Sequence, residues 1–513
     1  MLIQTYGSAI FGISATTVTI EIRIDTGVYF MMVGLPDNAV KESQQRIKTA
    51  IEESGYKWPN KGITINMAPA DIRKEGTVYD LPLAVGMLAA SEQIPAAALE
   101  KTMIIGELSL DGRLRPMKGA LPMCIQAKKE SFTKVILPES NAPEAAMVEG
   151  IDVFPAHNLL QVIHHLRGVE LIDPLQMEAK TLFSEKSSSY EVDFSDVKGQ
   201  ENIKRAFEIA AAGGHNVILI GPPGAGKTML AKRLSTILPP LTMDEALETT
   251  KIHSVAGKMR SQDALVTSRP FRAPHHTISD VALVGGGGWP QPGEISLAHN
   301  GVLFLDELPE FKRTVLEVLR QPLEDRVVSI SRARFSVDYP ASFMLIASMN
   351  PCPCGYHNHP IKECSCGPGV VQRYLNKVSG PLLDRIDLHV EVTPVDYEEL
   401  LTKPRGEVTS EDIRSRVLKA RTIQSQRFSQ SSSLHSNAQM SSRDMHEHVP
   451  LDIECREMLK TAMKKLSLSA RAHDRILKVA RTIADLDQSK EVKVSHLAEA
   501  IQYRSLDREN WAG

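Results

Sequence analysis

The stretch NVILIGPPGAGKTMLAKRL, residues 216–234, joins an apolar strand to a helix through a glycine-rich loop. In this Gly-x-x-x-x-Gly-Lys-Thr spacing the glycines let backbone N–H groups turn toward phosphates, and the helix N-terminus adds partial positive charge. A chance glycine-rich turn is the alternative, and the strand before the loop and the helix after it disfavour that alternative. Lys227 is expected to contact the β- and γ-phosphates of ATP, and the Thr228 hydroxyl to ligate Mg²⁺. The predicted nucleotide-binding residues are Gly221, Pro222, Pro223, Gly224, Ala225, Gly226, Lys227 and Thr228.

Two more apolar segments end in polar residues that suit the same site. GVLFLDEL, residues 301–308, carries Asp306 and Glu307 where a buried strand would end, at the edge of an open α/β sheet that binds ligands. Asp306 is expected in the Mg²⁺ shell, and Glu307 is expected to polarise the attacking water. FMLIASMN, residues 343–350, delivers Asn350, whose amide can orient that water and sense the γ-phosphate. The alternatives are solvated acids at a strand end and an asparagine that forms a turn.

Strands and helices alternate around these motifs, which predicts an α/β fold with a parallel sheet covered on both faces. We assign residues 193–395 to this ATPase core and residues 396–513 to a helical lid. The serine-rich stretch SQRFSQSSSLHSNAQMSS, residues 425–442, interrupts the helical pattern and is predicted to be a mobile loop.

The region before the core reads as a separate α+β domain, residues 1–172. TTVTIEIRID, residues 16–25, alternates apolar and polar side chains like a half-buried strand, and residues 37–55 carry apolar side chains at helical spacing. Residues 173–192 are polar in composition, as expected for an interdomain linker.

Length and composition limit the possible classes of protein. A chain of 513 residues is too long for one ordinary core. No apolar run approaches the ~20 residues that span a bilayer, and the first residues do not read as a secretion signal. We therefore expect a cytoplasmic protein without a membrane partner. The net charge of −3 excludes a broadly basic surface, so contacts with nucleic acid would have to be local.

Four of the six cysteines crowd into NPCPCGYHNHPIKECSCGPG, residues 350–369, as two Cys-x-Cys pairs: Cys352, Cys354, Cys364 and Cys366. In a reducing compartment four thiolates suit one tetrahedral Zn²⁺, although the spacing is tighter than usual. Two disulfides and an iron–sulfur cluster are the alternatives, and His357 or His359 could replace a thiolate. A zinc there would be structural, and it would hold the loop that follows Asn350.

The segments VLFLDE, SMNPCPCG, SGPLLDRIDLHV and LSARAHDRILKVARTIAD together resemble the ComM/YifB family of Mg-chelatase-like AAA+ ATPases. The resemblance covers nearly the whole chain, and the CPCG element with its second cysteine pair is specific to that family. It implies an AAA+ P-loop NTPase core with a helical lid, assembled into a hexameric ring. It also implies helicase or branch-migration activity on single-stranded or branched DNA, without sequence specificity, in recombination or natural transformation.

The same resemblance assigns roles to two arginines. Arg385, in LLDRID, matches the arginine finger that completes a neighbouring subunit's site. Arg471, in SARAHDR, matches the lid arginine that touches the γ-phosphate. An arginine at a transferring phosphoryl group can be worth ~10³–10⁵ in rate. The alternative for each is a surface salt bridge.

Two segments are candidates for DNA contact. Gly285–Gly288 and the following Trp289 resemble a channel-facing insert of this clade, and Trp289 could stack on a base or anchor in the core. VVSISRARFSVDYP is predicted to form a hairpin with Arg332 and Arg334 near its turn, suited to phosphates or to plain solvent. FRAPHHTIS, residues 271–279, belongs to the family pattern, and its two adjacent histidines receive no chemical role.

The N-terminal region resembles the Lon-type peptidase domain, which has a ribosomal protein S5-like fold. VYDLPLAVG places Leu83 where those enzymes carry the catalytic serine. GELSLDGRLRPMKGALPMCIQA places Leu121 where they carry the partner lysine, and Lys118 nearby cannot replace a missing serine. Without a hydroxyl and an amine the site has neither nucleophile nor base. We therefore predict a peptidase fold that does not cleave peptides.

Three functions remain open from the sequence. The first is an ATP-driven ring motor on DNA, with ATP, Mg²⁺ and a structural Zn²⁺ as cofactors. The second is a chelatase-type ATPase that remodels a protein partner, and the third is a protein unfoldase with a degradative N-terminal domain.

Overall fold

The computed structural model describes residues 2–74, 76–177, 191–260, 263–288, 290–332, 335–359, 361–367, 369–394, 408–431 and 434–504. Trp289, Arg334 and most of the predicted linker lie outside the described residues, as does the side chain of Arg332.

A seven-stranded mixed sheet forms the N-terminal region, in the order β3-β4-β2-β1-β5-β8-β9. Its strands are β1 (Leu2–Phe11), β2 (Ser14–Asp25), β3 (Phe30–Val33), β4 (Gly62–Ala68), β5 (Thr102–Ile104), β8 (Lys134–Pro138) and β9 (Asp152–Ala156), while β6 (Glu107–Leu108) and β7 (Leu114–Arg115) form a separate hairpin. The alternation in β2 buries Val18, Ile20 and Ile22 on one face, as the sequence predicts.

Five helices accompany this sheet: α1 (Asn38–Glu53), α2 (Asp80–Ala90), α3 (Ala120–Lys129), α4 (Ala142–Ala145) and α5 (Leu159–Leu166). Asp37 caps α1 by accepting a hydrogen bond from the backbone N–H of Val40, which satisfies one of the free donors at the helix start. Leu83 in α2 and Leu121 in α3 are completely buried, so the positions matching a peptidase serine and lysine are core positions here.

A second sheet of five parallel strands follows, in the order β11-β14-β17-β10-β18. Its strands are β10 (Val217–Ile220), β11 (Phe271–Arg272), β14 (Val302–Leu305), β17 (Met344–Met349) and β18 (Leu388–Glu391). Every residue of β10, β14 and β17 is buried, as expected for a sheet with helices on both faces. The predicted α/β class is confirmed.

Smaller elements surround this sheet. The short strands β12 (Gly285–Gly286) and β13 (Gln291–Pro292) pair, and β15 (Val327–Arg332) and β16 (Phe335–Pro340) form the predicted hairpin. The helices are α6 (Glu201–Gly213), α7 (Lys227–Ile237), α8 (Met243–Val255), α9 (Asp280–Val284), α10 (Glu294–Leu297), α11 (Arg313–Glu317), α12 (Arg320–Asp325), α13 (Val370–Leu375) and α14 (Gly380–Leu383).

The described C-terminal part is helical: α15 (Ser410–Arg427), α16 (Ser442–His448), α17 (Ile453–Lys465), α18 (Ala470–Leu486) and α19 (Val494–Gln502). The described part of the serine-rich stretch at 425–442 interrupts the helices between α15 and α16, as predicted, and its mobility stays a prediction. Asn437 is completely buried and donates to Asp485 and Thr482 of α18. A polar stretch is anchored here because its amide finds buried acceptors.

The N-terminal region packs directly on the region of the five-stranded parallel sheet. The backbone N–H of Gly119 donates to the carbonyl of Ser254 at 3.1 Å, and Leu121 shares an apolar cluster with Ala246 of α8. None of the described helices combines the length and the hydropathy that a membrane-spanning segment requires.

Candidate nucleotide site and cysteine cluster

Three neighbouring strands deliver the predicted nucleotide residues to one edge of the parallel sheet. Gly221 follows β10, Asp306 follows β14 and Asn350 follows β17. The backbone N–H of Gly221 donates to the carbonyl of Met349 at 3.2 Å, which ties the loop to the neighbouring strand. The phosphate loop, Asp306, Glu307 and Asn350 line a cavity of about 440 Å³.

Lys227 reaches back over the phosphate loop. Its Nζ donates to the carbonyls of Gly221 (2.7 Å) and Pro222 (3.0 Å) and to Oδ1 of Asn350 (3.0 Å). Burial of the ammonium lowers the pKa of Lys227, while the charges of Asp306 and Glu307 oppose that shift. The ammonium is therefore held by neutral oxygens in a poorly solvated position, where phosphate oxygens would stabilise it strongly.

Thr228 and Asp306 form the metal side of the site. The Thr228 hydroxyl donates to Oδ2 of Asp306 at 2.6 Å. Oδ1 of Asp306 accepts from the Ser348 hydroxyl and from the backbone N–H of Glu307 (3.1 Å). Hydroxyl and carboxylate oxygens are the ligands that Mg²⁺ prefers, so these two side chains fit that ion. The sequence patterns did not identify Ser348 as a residue of this site. Its position in the strand that ends before Asn350 was the signal that could have indicated this role.

Glu307 occupies an unusual backbone conformation next to the cavity. Its φ is +54°, in the left-handed region, and its side chain is 58% exposed. Nδ1 of His276 lies 3.4 Å from Oε2 of Glu307. His276 comes from the segment that received no role in the sequence, because no local pattern places it beside Glu307.

Arg385 and Arg471 lie close together near the amino-terminal ends of the parallel strands, whereas the phosphate loop lies at their carboxyl ends. Asn216, which precedes β10, donates to the carbonyl of Arg385 at 3.0 Å, whereas the phosphate loop follows β10. Four strand residues separate those ends, or about 13 Å. Nη1 of Arg471 lies 3.5 Å from Oδ2 of Asp384. The structure therefore brings the two arginines near each other and away from the phosphate loop of their own chain.

The Arg385 side chain is largely covered. It is 6% exposed and pairs with Glu324 at 2.7 Å, and it also donates to the carbonyl of Pro381 at 2.6 Å. Its Nε has no hydrogen-bond partner among the described residues.

The two candidate DNA-contact segments touch each other. The hydroxyl of Tyr339, in β16, donates to the carbonyl of Pro290 at 2.8 Å. A Cβ added at Gly285 would lie 2.8 Å from the side chain of Ile330, in β15. The hairpin and the glycine-rich insert, residues 280–293, are thus one packed unit.

The four cysteines of the second motif converge. Their Sγ atoms all lie within 4.8 Å of one another. The contact distances are 3.2 Å between Cys352 and Cys354, 3.7 Å between Cys352 and Cys364, and 3.5 Å between Cys354 and Cys364. Four sulfurs about 2.3 Å from one zinc would be about 3.8 Å apart, which this cluster matches well. All four thiols are free, and no histidine of the described residues joins the group.

The cysteine cluster also contacts the phosphate loop. Gly355 has a φ of +84°, and a Cβ at this position would lie 2.5 Å from Cδ of Pro223. Only glycine allows the chain to turn here and approach Pro223 so closely. The loop that carries the cysteine cluster therefore packs directly on the phosphate loop, and Asn350 leads into that loop.

Comparison with protein families assigns most of the chain. Residues 193–400 match the family described as magnesium chelatase, subunit ChlI. Residues 20–141 match subunit ChlI of Mg-chelatase, and residues 407–504 match its C-terminal region.

Individual relatives agree with this assignment. The chain is 30% identical over 191 residues to Lon protease 2 of Bacillus subtilis, covering 34% of this chain and 31% of that protein. It is 45% identical over 504 residues to YifB of Escherichia coli, covering 98% of this chain and 96% of the relative. It is also 45% identical over 509 residues to competence protein ComM of Haemophilus influenzae, covering 98% and 97% respectively. The chain therefore belongs to the ComM/YifB family of Mg-chelatase-like AAA+ proteins.

Proposed function

We propose that this protein is an ATPase. Its active site would lie at the carboxyl ends of β10, β14 and β17, where the phosphate loop, Asp306, Glu307 and Asn350 line one cavity. The convergence of Lys227 with Asn350, and of Thr228 with Asp306, is the observation that carries the proposal. Mg²⁺ held by Thr228 and Asp306 would neutralise phosphate charge. Glu307 would accept a proton from water as its oxygen attacks the γ-phosphorus and ADP leaves.

We also propose that hydrolysis takes place between subunits of a ring, a hexamer by family resemblance. The Arg385 carbonyl lies about one strand length from the phosphate loop of its own chain, and Arg471 lies beside the neighbouring residue Asp384, which supports a role for both arginines at a neighbour's γ-phosphate. Arg385 would then exchange its Glu324 partner for phosphate oxygens. A guanidinium supplied by the neighbour makes turnover depend on assembly.

The substrate we favour is DNA, moved or remodelled by branch migration or unwinding in recombination or natural transformation. Competence is the bacterial state of DNA uptake, and a relative at 45% identity is named for it. The hairpin and the insert pack on each other, and Trp289, Arg332 and Arg334 of these two segments are our candidates for contacts with phosphates and bases. These activities would take place in the cytoplasm, where ATP and DNA occur together.

DNA should stimulate ATP turnover by the purified protein. We expect a several-fold higher kcat with single-stranded or four-way-junction DNA, measured by phosphate release at stated salt, because phosphate contacts weaken as salt rises. Unwinding of labelled forks should require ATP. Turnover that is identical with and without each DNA, at low salt, would contradict a DNA substrate.

A chelatase-type or unfoldase-type ATPase that remodels a protein partner is the second candidate. The family match to magnesium chelatase subunits favours it. The burial of Leu83 and Leu121 argues against a degradative unfoldase, since the N-terminal domain has no serine–lysine pair at those positions. Stimulation by a folded protein substrate instead of DNA would support this second function.

We further propose that the cysteine cluster holds one structural Zn²⁺. The four free thiols and their mutual distances support zinc over two disulfides, and a cluster of iron and sulfur stays the alternative. With four sulfur ligands no position is left to activate a water. The metal would instead brace Asn350 and, through Gly355, the phosphate loop.

Cys354→Ser should remove about one zinc per chain and lower kcat/KM for ATP by about 10- to 100-fold, because small displacements of phosphate-binding groups are costly. Metal content by mass spectrometry and steady-state ATPase assays measure both effects. Cys455→Ser is the matched control, since Cys455 is a buried cysteine of the lid outside the cluster. Full activity in a metal-free Cys354→Ser protein would refute the bracing role, and iron in the wild type would identify the other metal.

A further inference from the structure

A small polar cavity lies near the amino-terminal ends of the parallel strands, beside the C-terminal helices. Its volume is about 90 Å³. Its lining includes Gly301, just before β14, and Met344, the first residue of β17, together with His435 and Ser436, which follow α15. Among the described residues, none lines both this cavity and the nucleotide cavity at the carboxyl ends of the strands. The cavity is therefore a separate candidate site.

Three arginines line this cavity: Arg269 before β11, Arg326 directly after α12 and Arg421 in α15. Glu245 is the single acidic residue of the described lining, and it already pairs with Arg269 at 3.0 Å. Neither Arg326 nor Arg421 forms an ion pair with a carboxylate of the described residues. The lining therefore carries an excess of positive charge.

Arg326 leaves most of its hydrogen-bonding capacity unused. A guanidinium has five N–H groups, and the one acceptor that the described residues offer to Arg326 is the Ser342 hydroxyl, 3.0 Å from Nη1. Burial lowers the pKa of Arg326. Its φ is +58°, in the left-handed region that residues other than glycine occupy at a cost. A partly buried cation with free donors at a strained position suits an anionic ligand.

Arg421 is also held by neutral groups alone. Its Nε and Nη2 donate to the carbonyl of Ala211 in α6 at 3.3 and 3.1 Å, and its Nη1 donates to the carbonyl of His435 at 3.1 Å. Burial lowers the pKa of Arg421 to about 9, and the nearby charges of Arg269 and Arg326 contribute to the shift. The three guanidinium groups are therefore close enough to repel one another, and an anion between them would replace that repulsion by attraction.

We propose that this cavity binds a phosphate-sized oxyanion, which would join Arg269 and Arg326 to Arg421 of the C-terminal helices. Guanidinium groups bind phosphate oxygens through paired, charge-assisted hydrogen bonds. The ligand is free phosphate or the phosphate group of a small ester, because a second cavity of about 190 Å³ that also contains Arg326 leaves room for an organic part. The inference goes beyond the proposed ATPase function and does not depend on it.

Phosphate binding in a Lys227→Ala background tests the site, because that change weakens the binding of phosphate at the phosphate loop. Equilibrium dialysis should still detect bound radiolabelled phosphate in Lys227→Ala. Adding Arg326→Gln should weaken this binding by about 10- to 100-fold, the value of the charge-assisted hydrogen bonds that are lost. Arg320→Gln is the matched control and should keep the binding, since Arg320 lies in α12 outside the cavity lining and pairs with Glu317 at 2.8 Å.

Thermal unfolding separates ligand binding from a structural role of the same arginine. In chloride buffer Arg326→Gln should unfold at the wild-type temperature or slightly above it, because the change removes a partly buried cation that lacks a carboxylate partner. Phosphate at equal ionic strength should raise the unfolding temperature of Lys227→Ala, since a ligand of the folded state stabilises it. The same phosphate should have little effect on the double variant Lys227→Ala/Arg326→Gln.

The possible outcomes decide both the site and the form of its ligand. Unchanged phosphate affinity after Arg326→Gln, or loss of all phosphate binding in Lys227→Ala alone, would overturn the proposal. A large fall in the unfolding temperature of Arg326→Gln in chloride would also overturn it, by assigning the guanidinium to structure alone. Competition by glycerol phosphate would support an ester as ligand, and phosphate binding without such competition would support the free ion. None of these measurements requires ATP turnover, so their failure would leave the ATPase proposal intact.

Discussion

Glu307→Gln should lower kcat for ATP hydrolysis by about 10²–10⁴-fold, the usual contribution of a general base, while the protein still binds ATP. The amide has the same shape but cannot accept the proton of the attacking water. Because Thr228, Asp306 and Lys227 are untouched, nucleotide affinity should stay close to that of the wild type. Phosphate-release assays and titration with a fluorescent ATP analogue measure the two quantities separately.

Lys227→Ala should weaken ATP binding itself, and not only hydrolysis. The phosphates would lose the only ammonium that the described loop residues provide. Glu310→Gln serves as the matched control: Glu310 lies three residues from Glu307, is exposed and pairs with Lys377 at 3.2 Å. It should keep wild-type turnover. Comparable turnover in Glu307→Gln and in the control would remove Glu307 from the chemistry.

Much of the fold could be predicted because its signals are local. Buried strands such as Val217–Ile220 and Val302–Leu305 are continuous apolar runs, and alternation marks β2. The parallel order then brings strand ends to one edge, so Asp306 and Asn350 could be expected near the phosphate loop. The family membership, stated first as a resemblance, is confirmed by relatives that match nearly the whole chain.

The rest of the site depends on contacts between distant segments, which no local pattern encodes. The Ser348 hydroxyl, in β17, donates a hydrogen bond to Asp306 at the end of the neighbouring strand β14. His276 lies beside Glu307 only because β11 and β14 are neighbours. The conformation of the serine-rich stretch, residues 425–442, also depends on contacts with a distant segment. Its polar composition favours a loop, yet buried acceptors on α18 anchor Asn437.

Arg385→Ala should lower kcat by about 10³–10⁵-fold with little change in ATP affinity, if Arg385 acts on the γ-phosphate of a neighbouring subunit. Its carbonyl accepts from Asn216 at the amino-terminal end of β10, about one strand length from the phosphate loop of its own chain, which favours a neighbour's phosphate as its target. Glu324→Gln is the control, because it breaks the same 2.7 Å ion pair but keeps the guanidinium. Loss of turnover in Arg385→Ala with retention in Glu324→Gln would separate catalysis from simple loss of the pair.

Mixing two inactive proteins tests the arrangement between subunits most directly. An Arg385→Ala subunit keeps its phosphate loop, and a Lys227→Ala subunit keeps its arginine. In randomly mixed rings about one interface in four would join an intact loop to an intact arginine, as head-to-tail contacts require. Turnover should therefore reappear on mixing, although neither protein is active alone. Recovery cannot arise if each chain supplies its own arginine, because every subunit in the mixture would then lack one of the two groups. Absence of recovery in rings shown to contain both proteins would thus overturn hydrolysis between subunits, while recovery would identify the surface around Arg385, Asp384 and Arg471 as the one that faces the neighbour's nucleotide.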